Sequence, residues 1–145
     1  MFITKKITTF ETYTIRQEVL RNGKPIETCY FDGDNDSSTT HFGLFENENI
    51  IGVVSVYKTN SLLFTDEIQF QIRGMAVLEN FQNKGHGEQL LKAAEKYCWE
   101  EKANLIWFNA REKAVSFYTK SGFKIVGNSF DIPDVGIHFV MYKKN

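Results

Sequence analysis

Cysteine and proline are both scarce, with two of each among 145 residues. Cys29 and Cys98 make neither a disulfide framework nor a metal-ligand cluster, and they fit a reducing compartment. So few prolines, with hydrophobic residues at 42%, exclude a disordered or fibrous chain and leave enough apolar surface for a sizeable core. An excess of charge is missing too. The 17 basic and 18 acidic residues give a formal net charge of -1, which leaves no electrostatic footprint for nucleic acid or an anionic membrane surface. No apolar run approaches the roughly 20 residues of a membrane span. The opening MFITKKITTFETYTIRQ has no long apolar stretch and no small-residue cleavage site. No repeat or low-complexity linker divides the chain. The expectation from these absences is one cytoplasmic domain over residues 1–145, with no nucleic-acid, membrane or metal partner.

What is present is an alternation of periods. Residues 2 to 4 suggest a short strand. Thr8 and Glu11 then stand at capping-box spacing and open a helix to about Leu20, with Phe10, Tyr13, Gln17 and Leu20 near one face. FDGDNDSS is an acidic, flexible segment. Asn47 to Asn49 mark a turn between the strands HFGLF and IIGVVSVY, and IQFQIRGMAV (68 to 77) is a longer strand. Leu90, Leu91, Ala94, Tyr97 and Cys98 fall at helical spacing through about Glu101. NLIWFN is a short buried strand. EKAVSFYTKSG is a short helix stopped by Gly122, and FKIVG and IHFVMY are closing strands joined by a loop containing Pro133. The order implies a three-layer α/β arrangement around a mixed sheet flanked by helices.

The stretch QNKGHGEQLL (82 to 91) joins the long strand to the longest helix. A helix N-terminus has unpaired N–H groups and a partial positive charge, and glycines let an anion approach the backbone. Gly85 and Gly87 supply that access and Lys84 adds charge. The spacing is not that of a nucleotide triphosphate loop, since no Ser or Thr follows a Gly-Lys pair. Nor does a third glycine complete a dinucleotide fingerprint. Two readings stand: a pyrophosphate held by backbone amides, or a plain helix start with flexible glycines.

Taken together, MAVLENFQNKGHGEQLL and AVSFYTKSGF resemble the GNAT superfamily of acetyl-CoA-dependent N-acetyltransferases. Gln82, Gly85 and Gly87 match its Q/R-x-x-G-x-G/A element. Ala114, Phe117, Tyr118, Gly122 and Phe123 match its A-x-x-F-Y-x-x-x-G-F element. The resemblance is clear over residues 68 to 124. It implies a GNAT-like fold with a mostly antiparallel sheet, acetyl-CoA as co-substrate, and a primary amine of a small molecule or peptide as acceptor. The non-catalytic alternative is a module that binds CoA or an acyl-CoA as a regulatory ligand. Family habit also implies a homodimer.

Residue by residue, the resemblance places Gln82, Asn83, Lys84, Gly85, His86 and Gly87 around the pyrophosphate. Met75, Ala76 and Val77 would pair through their backbone with the pantetheine arm, and one of their N–H groups would polarise the thioester carbonyl. Ala114 and Phe117 belong to the same cofactor site. Asn109 and Arg111 are alternatives for the family's asparagine, and Lys120 is a candidate for the 3'-phosphate or a solvated lysine. Tyr118 would be the general acid that protonates the leaving thiolate, or else a core tyrosine packed beside Phe117. No general base is named, because Gln71 stands at the position of the glutamate some members use.

For the acceptor, Arg73 shares parity with Gln71, Met75 and Val77 and could meet a substrate carboxylate. His41 is a second candidate contact. Asp32, Asp34 and Asp36 have the opening spacing of a calcium loop, but Ser37 and Gly43 stand where that loop needs a glycine and a glutamate. The segment therefore reads as a solvated loop, or as an acidic lip for a cationic amine. Cys98, on an apolar helix face, reads as a core thiol, which favours direct transfer in a ternary complex over a covalent acetyl carrier.

Overall fold

The computed structural model describes all residues from 1 to 145. The first strand, β1 (Phe2–Ile7), is longer than expected because it pairs with β2 (Thr40–Glu46) along its whole length, from Phe2 opposite Glu46 to Ile7 opposite His41. A tight turn leads from β2 to β3 (Asn49–Tyr57), which pairs with β4 (Gln69–Val77). After helix α2 (His86–Glu100) come β5 (Leu105–Arg111), the short helix α3 (Val115–Lys120), β6 (Lys124–Ile132) and β7 (Gly136–Lys144). The seven-stranded sheet has the order β1-β2-β3-β4-β5-β7-β6, and only β4 and β5 run parallel. No helix is long and apolar enough to cross a membrane.

Each face of the sheet has its own cover. The helix α2 lays Leu90, Leu91, Ala94 and Cys98 on one face, against Val54, Val56, Phe70 and Ile72. Helix α1 (Thr9–Ile15) covers the other face, where Ile15 packs with Val53 and Ala76. The Thr8 hydroxyl accepts from the Glu11 N–H at 3.3 Å, and the Glu11 carboxylate accepts from the Thr8 N–H at 2.9 Å. This reciprocal cap satisfies two of the helix's orphan donors. The helix runs on to Leu20, but as a π-helix over Arg16–Leu20. Its inward face is Thr12, Ile15 and Arg16, while Phe10 is 80% exposed.

That inward face carries a buried charge, which hydrophobic periodicity does not show. Arg16 is fully buried and forks onto Asp34, with Nη1 2.7 Å from Oδ2 and Nη2 3.1 Å from Oδ1. Nη1 also donates to the Cys29 carbonyl at 2.9 Å, and Nη2 to Ser55 Oγ at 3.0 Å and the Tyr57 hydroxyl at 3.1 Å. Asp34 accepts in addition from the Tyr57 hydroxyl at 2.5 Å and the Phe31 N–H at 2.9 Å. The acidic segment is thus solvated at Asp32 and Asp36, as its composition implies, but not at Asp34. Its middle carboxylate is folded under the sheet, neutralised by Arg16 and unavailable to a metal or an approaching amine.

Burial alone would raise the Asp34 carboxyl, but the hydrogen bonds from Arg16, Tyr57 and the Phe31 amide outweigh it and hold the group below its ordinary value. A carboxyl depressed in the folded state stabilises the fold fully above its unfolded pKa, near 4. That stabilisation fades as pH falls through the lower folded value. Asp34→Ala, which leaves Arg16 buried without a counter-ion, is expected to cost about 3–5 kcal/mol in urea denaturation at neutral pH. Asp34→Asn should lose stability at neutral pH and flatten the acid-side dependence. An unchanged acid limb in Asp34→Asn would show that Asp34 does not set it.

Candidate functional site

The parallel pairing of β4 with β5 is brief. Gln69, Phe70 and Gln71 face Leu105, Ile106 and Trp107, and beyond these the two strands part. Strand β5 stays with β7 along its whole length and β4 stays with β3, so the sheet opens between them into a cleft of about 530 Å³. Gln71 and Met75 from β4, Asn109 and Arg111 from β5, and Ala114 and Tyr118 after it all line this cleft.

A bulge on β4 shapes the opening. Ser55 pairs with Arg73 and Val53 with Ala76, so Gly74 and Met75 together oppose Val54. Gly74 has φ +66, and a Cβ there would lie 3.0 Å from Phe31 Cε2. Both the left-handed backbone and the close ring select glycine. An extra residue reverses the alternation of side chains. Phe70 and Ile72 face α2 before the bulge, whereas Met75 and Val77 do so after it. Arg73 therefore does not share a face with Met75 and Val77, as simple parity implied. It lies on the α1 face, with its guanidinium 5.0 Å from the Phe31 ring and 5.2 Å from the Tyr57 ring.

The glycine loop lies next to Met75 and Phe117, on the α2 side of the sheet. Gly85 caps α2 with φ +86, and the first intrahelical bond runs from the Gln89 N–H to the Gly85 carbonyl at 3.1 Å. The amides of the first turn are thus free to meet an anion. Nothing lies within 4 Å of a Cβ placed on Gly85, while one on Gly87 would touch Phe117 Cζ at 3.7 Å. The Gln82 amide donates to the Val77 carbonyl at 2.8 Å and so ties the loop to the end of β4. Lys84 turns back to the Asn80 carbonyl at 3.1 Å. The His86 ring is buried against Phe2, 4.2 Å between ring centres, which leaves its amide as the part able to face a ligand. The Leu78 N–H bonds Ile51 across β3, and by alternation the Val77 N–H points the other way, into the split.

Tyr118 lines the cleft on the α2 side, its ring 4.4 Å from Phe108 and 5.1 Å from Phe117. Burial pushes its hydroxyl up to about 12, so it keeps its proton at any physiological pH. Asn109 and Arg111 alternate with the buried Phe108 and Ala110 and so occupy the α1 face of β5. Lys120 is exposed at the end of α3 and does not line the cleft.

His41 stands apart from this cleft. It is buried, with Nδ1 2.6 Å from Ser55 Oγ and Nε2 3.0 Å from the Asp34 carbonyl and 3.1 Å from Thr9 Oγ1. Because a carbonyl only accepts, Nε2 carries the proton and Nδ1 accepts from Ser55. Burial lowers its pKa, and the ring is a neutral brace of the Arg16 network rather than a substrate contact. Cys98 is fully buried, which pushes its thiol up to about 12 and removes it as an acetyl carrier.

Sequence reasoning missed His138. It lies on β7 opposite Arg111 and lines the cleft. Its Nδ1 is 2.8 Å from the Gly136 carbonyl, so Nδ1 holds the proton and Nε2 has the free lone pair of the neutral ring. Only the strand order, which inserts β7 between β5 and β6, brings it here.

Comparison with known proteins adds four findings. A profile described as "Acetyltransferase (GNAT) family" matches residues 8–123. The "Uncharacterized N-acetyltransferase YitI" of Bacillus subtilis (strain 168) is 36% identical over 143 residues, covering 99% of this chain and 96% of that protein. Among solved structures, Escherichia coli ElaA superposes with a TM-score of 0.80 at 15% identity, over 99% of this chain and 100% of that one. A GNAT family acetyltransferase from Elizabethkingia anophelis with acetyl-CoA bound gives 0.71 at 17% identity, over 99% and 98%.

The bulge yields a direct stability test. Gly74→Ala should destabilise by about 1–2 kcal/mol from its left-handed backbone alone, and further through contact with Phe31. Gly23, at φ +76 with open space around it, supplies the control in chemical denaturation. If Gly23→Ala costs as much as Gly74→Ala, the Phe31 contact adds nothing.

Proposed function

The chain belongs to the GNAT family of acetyltransferases, and from that premise we propose that it moves an acetyl group from acetyl-CoA to a primary amine of a small molecule or peptide, by direct transfer in a ternary complex. The observation that carries this is the split between β4 and β5, lined by Tyr118, with the free first-turn amides of α2 next to Met75 on its α2 side.

The Gly85-to-Glu88 amides would hold the pyrophosphate, where an added side chain at Gly85 or Gly87 would intrude. The pantetheine arm would pair with the unpaired edge of β4 from Met75 to Val77. The Val77 N–H, pointing into the split, is a donor able to polarise the thioester carbonyl. Gln82 supports this edge by occupying the Val77 carbonyl. Asn109 and Arg111 line the cleft from β5, across from that edge, and Lys120 is left outside.

In the reaction the amine nitrogen attacks the acetyl carbon, the carbon–sulfur bond breaks, and the thiolate takes a proton. Tyr118 is the proton donor lining the α2 side of the cleft. A phenol at about 12 is a weaker acid than a solvated thiol, near 8.5. Burial keeps the phenol protonated and available, and the departing thiolate is the stronger base once water is excluded from it. On the other face, His138 Nε2 accepts the proton that the amine sheds. A homodimer, if formed, would use the free edge strand β6, near which Ile125, Val135 and Ile137 are exposed.

Calorimetric titration with acetyl-CoA tests the cofactor site: wild type should bind and Gly87→Trp, checked for folding by circular dichroism, should not. Tyr118→Phe should lower kcat by about 10²-fold or more with unchanged acetyl-CoA affinity; unchanged turnover would remove its role as acid. His138→Gln should lower kcat/KM by a similar factor with unchanged acetyl-CoA affinity. Unchanged kcat/KM in His138→Gln assigns the proton acceptor elsewhere.

A further inference from the structure

We infer that the acceptor carries a carboxylate close to its reacting amine, and that Arg73, Arg21 and Arg111 form the subsite that binds it. This rests on the acetyltransferase reading of the same cleft. Three arginines and a histidine line the cleft, and no aspartate or glutamate does. None of those arginines has a counter-ion. The ion pairs of the molecule are Arg16–Asp34, Lys92–Glu88, Lys143–Glu95 and Lys144–Asp66.

The guanidiniums are positioned nonetheless. Arg21 donates to the Thr28 carbonyl at 2.8 Å and the Leu20 carbonyl at 3.3 Å, and Arg73 to the Asp32 carbonyl at 3.4 Å. Both stand at the Phe31 ring, 5.2 and 5.0 Å from its centre. Arg16 lies 3.9 Å from that same ring, but it alone is neutralised. Backbone carbonyls fix the forks without cancelling their charge, and like charges gathered along one apolar wall repel unless an anion joins them.

A planar fork suits a carboxylate, which it can bind through two parallel hydrogen bonds. The field does further work on the nucleophile. Fixed positive charge beside a bound ammonium favours its deprotonation, so the subsite that selects the acid also prepares the amine. The anionic parts of acetyl-CoA do not account for Arg73 and Arg21, because these lie on the α1 face of the sheet. The α2 N-terminus abuts the opposite face, through Met75 and Phe117.

The test is a thiol-release assay with acetyl-CoA on matched acceptors: free L-amino acids, their carboxamides, and short peptides with or without an acidic side chain. Free acids or acidic peptides should exceed their neutral counterparts in kcat/KM by at least about tenfold, and the two series separate a free amino acid from a peptide. Arg73→Gln should raise KM for the acidic acceptors by about 10- to 100-fold, with no comparable rise in KM for the carboxamides, and should leave the calorimetric affinity for acetyl-CoA unchanged. Neutral acceptors equal to or better than their acids would overturn the proposal. So would an Arg73→Gln variant that loses acetyl-CoA affinity instead, since the arginine would then serve the cofactor. If no acceptor turns over, N-acetyl amino acids titrated with CoA present decide: binding weakened by Arg73→Gln supports the subsite, and no binding rejects it. Failure of wild type to bind acetyl-CoA is a different result and removes the acetyltransferase reading itself.

Discussion

The guanidinium of Arg16 is the point to which the α1 side of the molecule is tied. It is fully buried, and its two terminal nitrogens reach the carboxylate of Asp34, the carbonyl of Cys29 and the hydroxyls of Ser55 and Tyr57. Helix, acidic segment and β3 are thereby joined through one planar group. Its Nε, the one buried polar side-chain atom without a partner, lies beside Gly74. The flat face of the group lies under Phe31, which in turn presses on that glycine. A buried charge cannot drift as an apolar contact can, because losing any partner leaves an uncompensated ion. The same network that holds α1 in place therefore fixes the wall of the cleft.

Much of the architecture could be read along the chain because it rests on local signals. The Thr8–Glu11 cap, the period of α2 and the glycine start of that helix are properties of short windows. The two family motifs were legible for the same reason: each is a short window on one loop or helix, and the family match spans both. What was not legible depends on pairs distant in sequence. Asp34 looks solvated in FDGDNDSS until Arg16, 18 residues earlier, is seen to fork onto it. His138 looks like one member of a closing strand until the sheet order sets β7 against β5. Parity placed Arg73 with Met75 and Val77, and the bulge at Gly74 separated them.

The two faces of the split divide the work of the site. Tyr118, Phe117 and the start of α2 belong to the side covered by α2, where apolar packing keeps a hydroxyl protonated. Arg73, Asn109, Arg111 and His138 belong to the side covered by α1, which is polar and cationic. A thioester lying in the gap would present its leaving sulfur to the first environment and its carbonyl carbon to the second.

The bulge gives β4 two alignments in a single strand. Up to Arg73 one set of residues turns toward α2, and from Met75 onward the complementary set does. Gly74 is the residue that makes this switch. Without it Met75 would stand directly opposite Val54 and the side chains would keep their faces, but the strand would lose the local bend and added twist that a bulge imposes. The extra residue therefore serves the curvature of the cleft wall rather than the facing of its side chains.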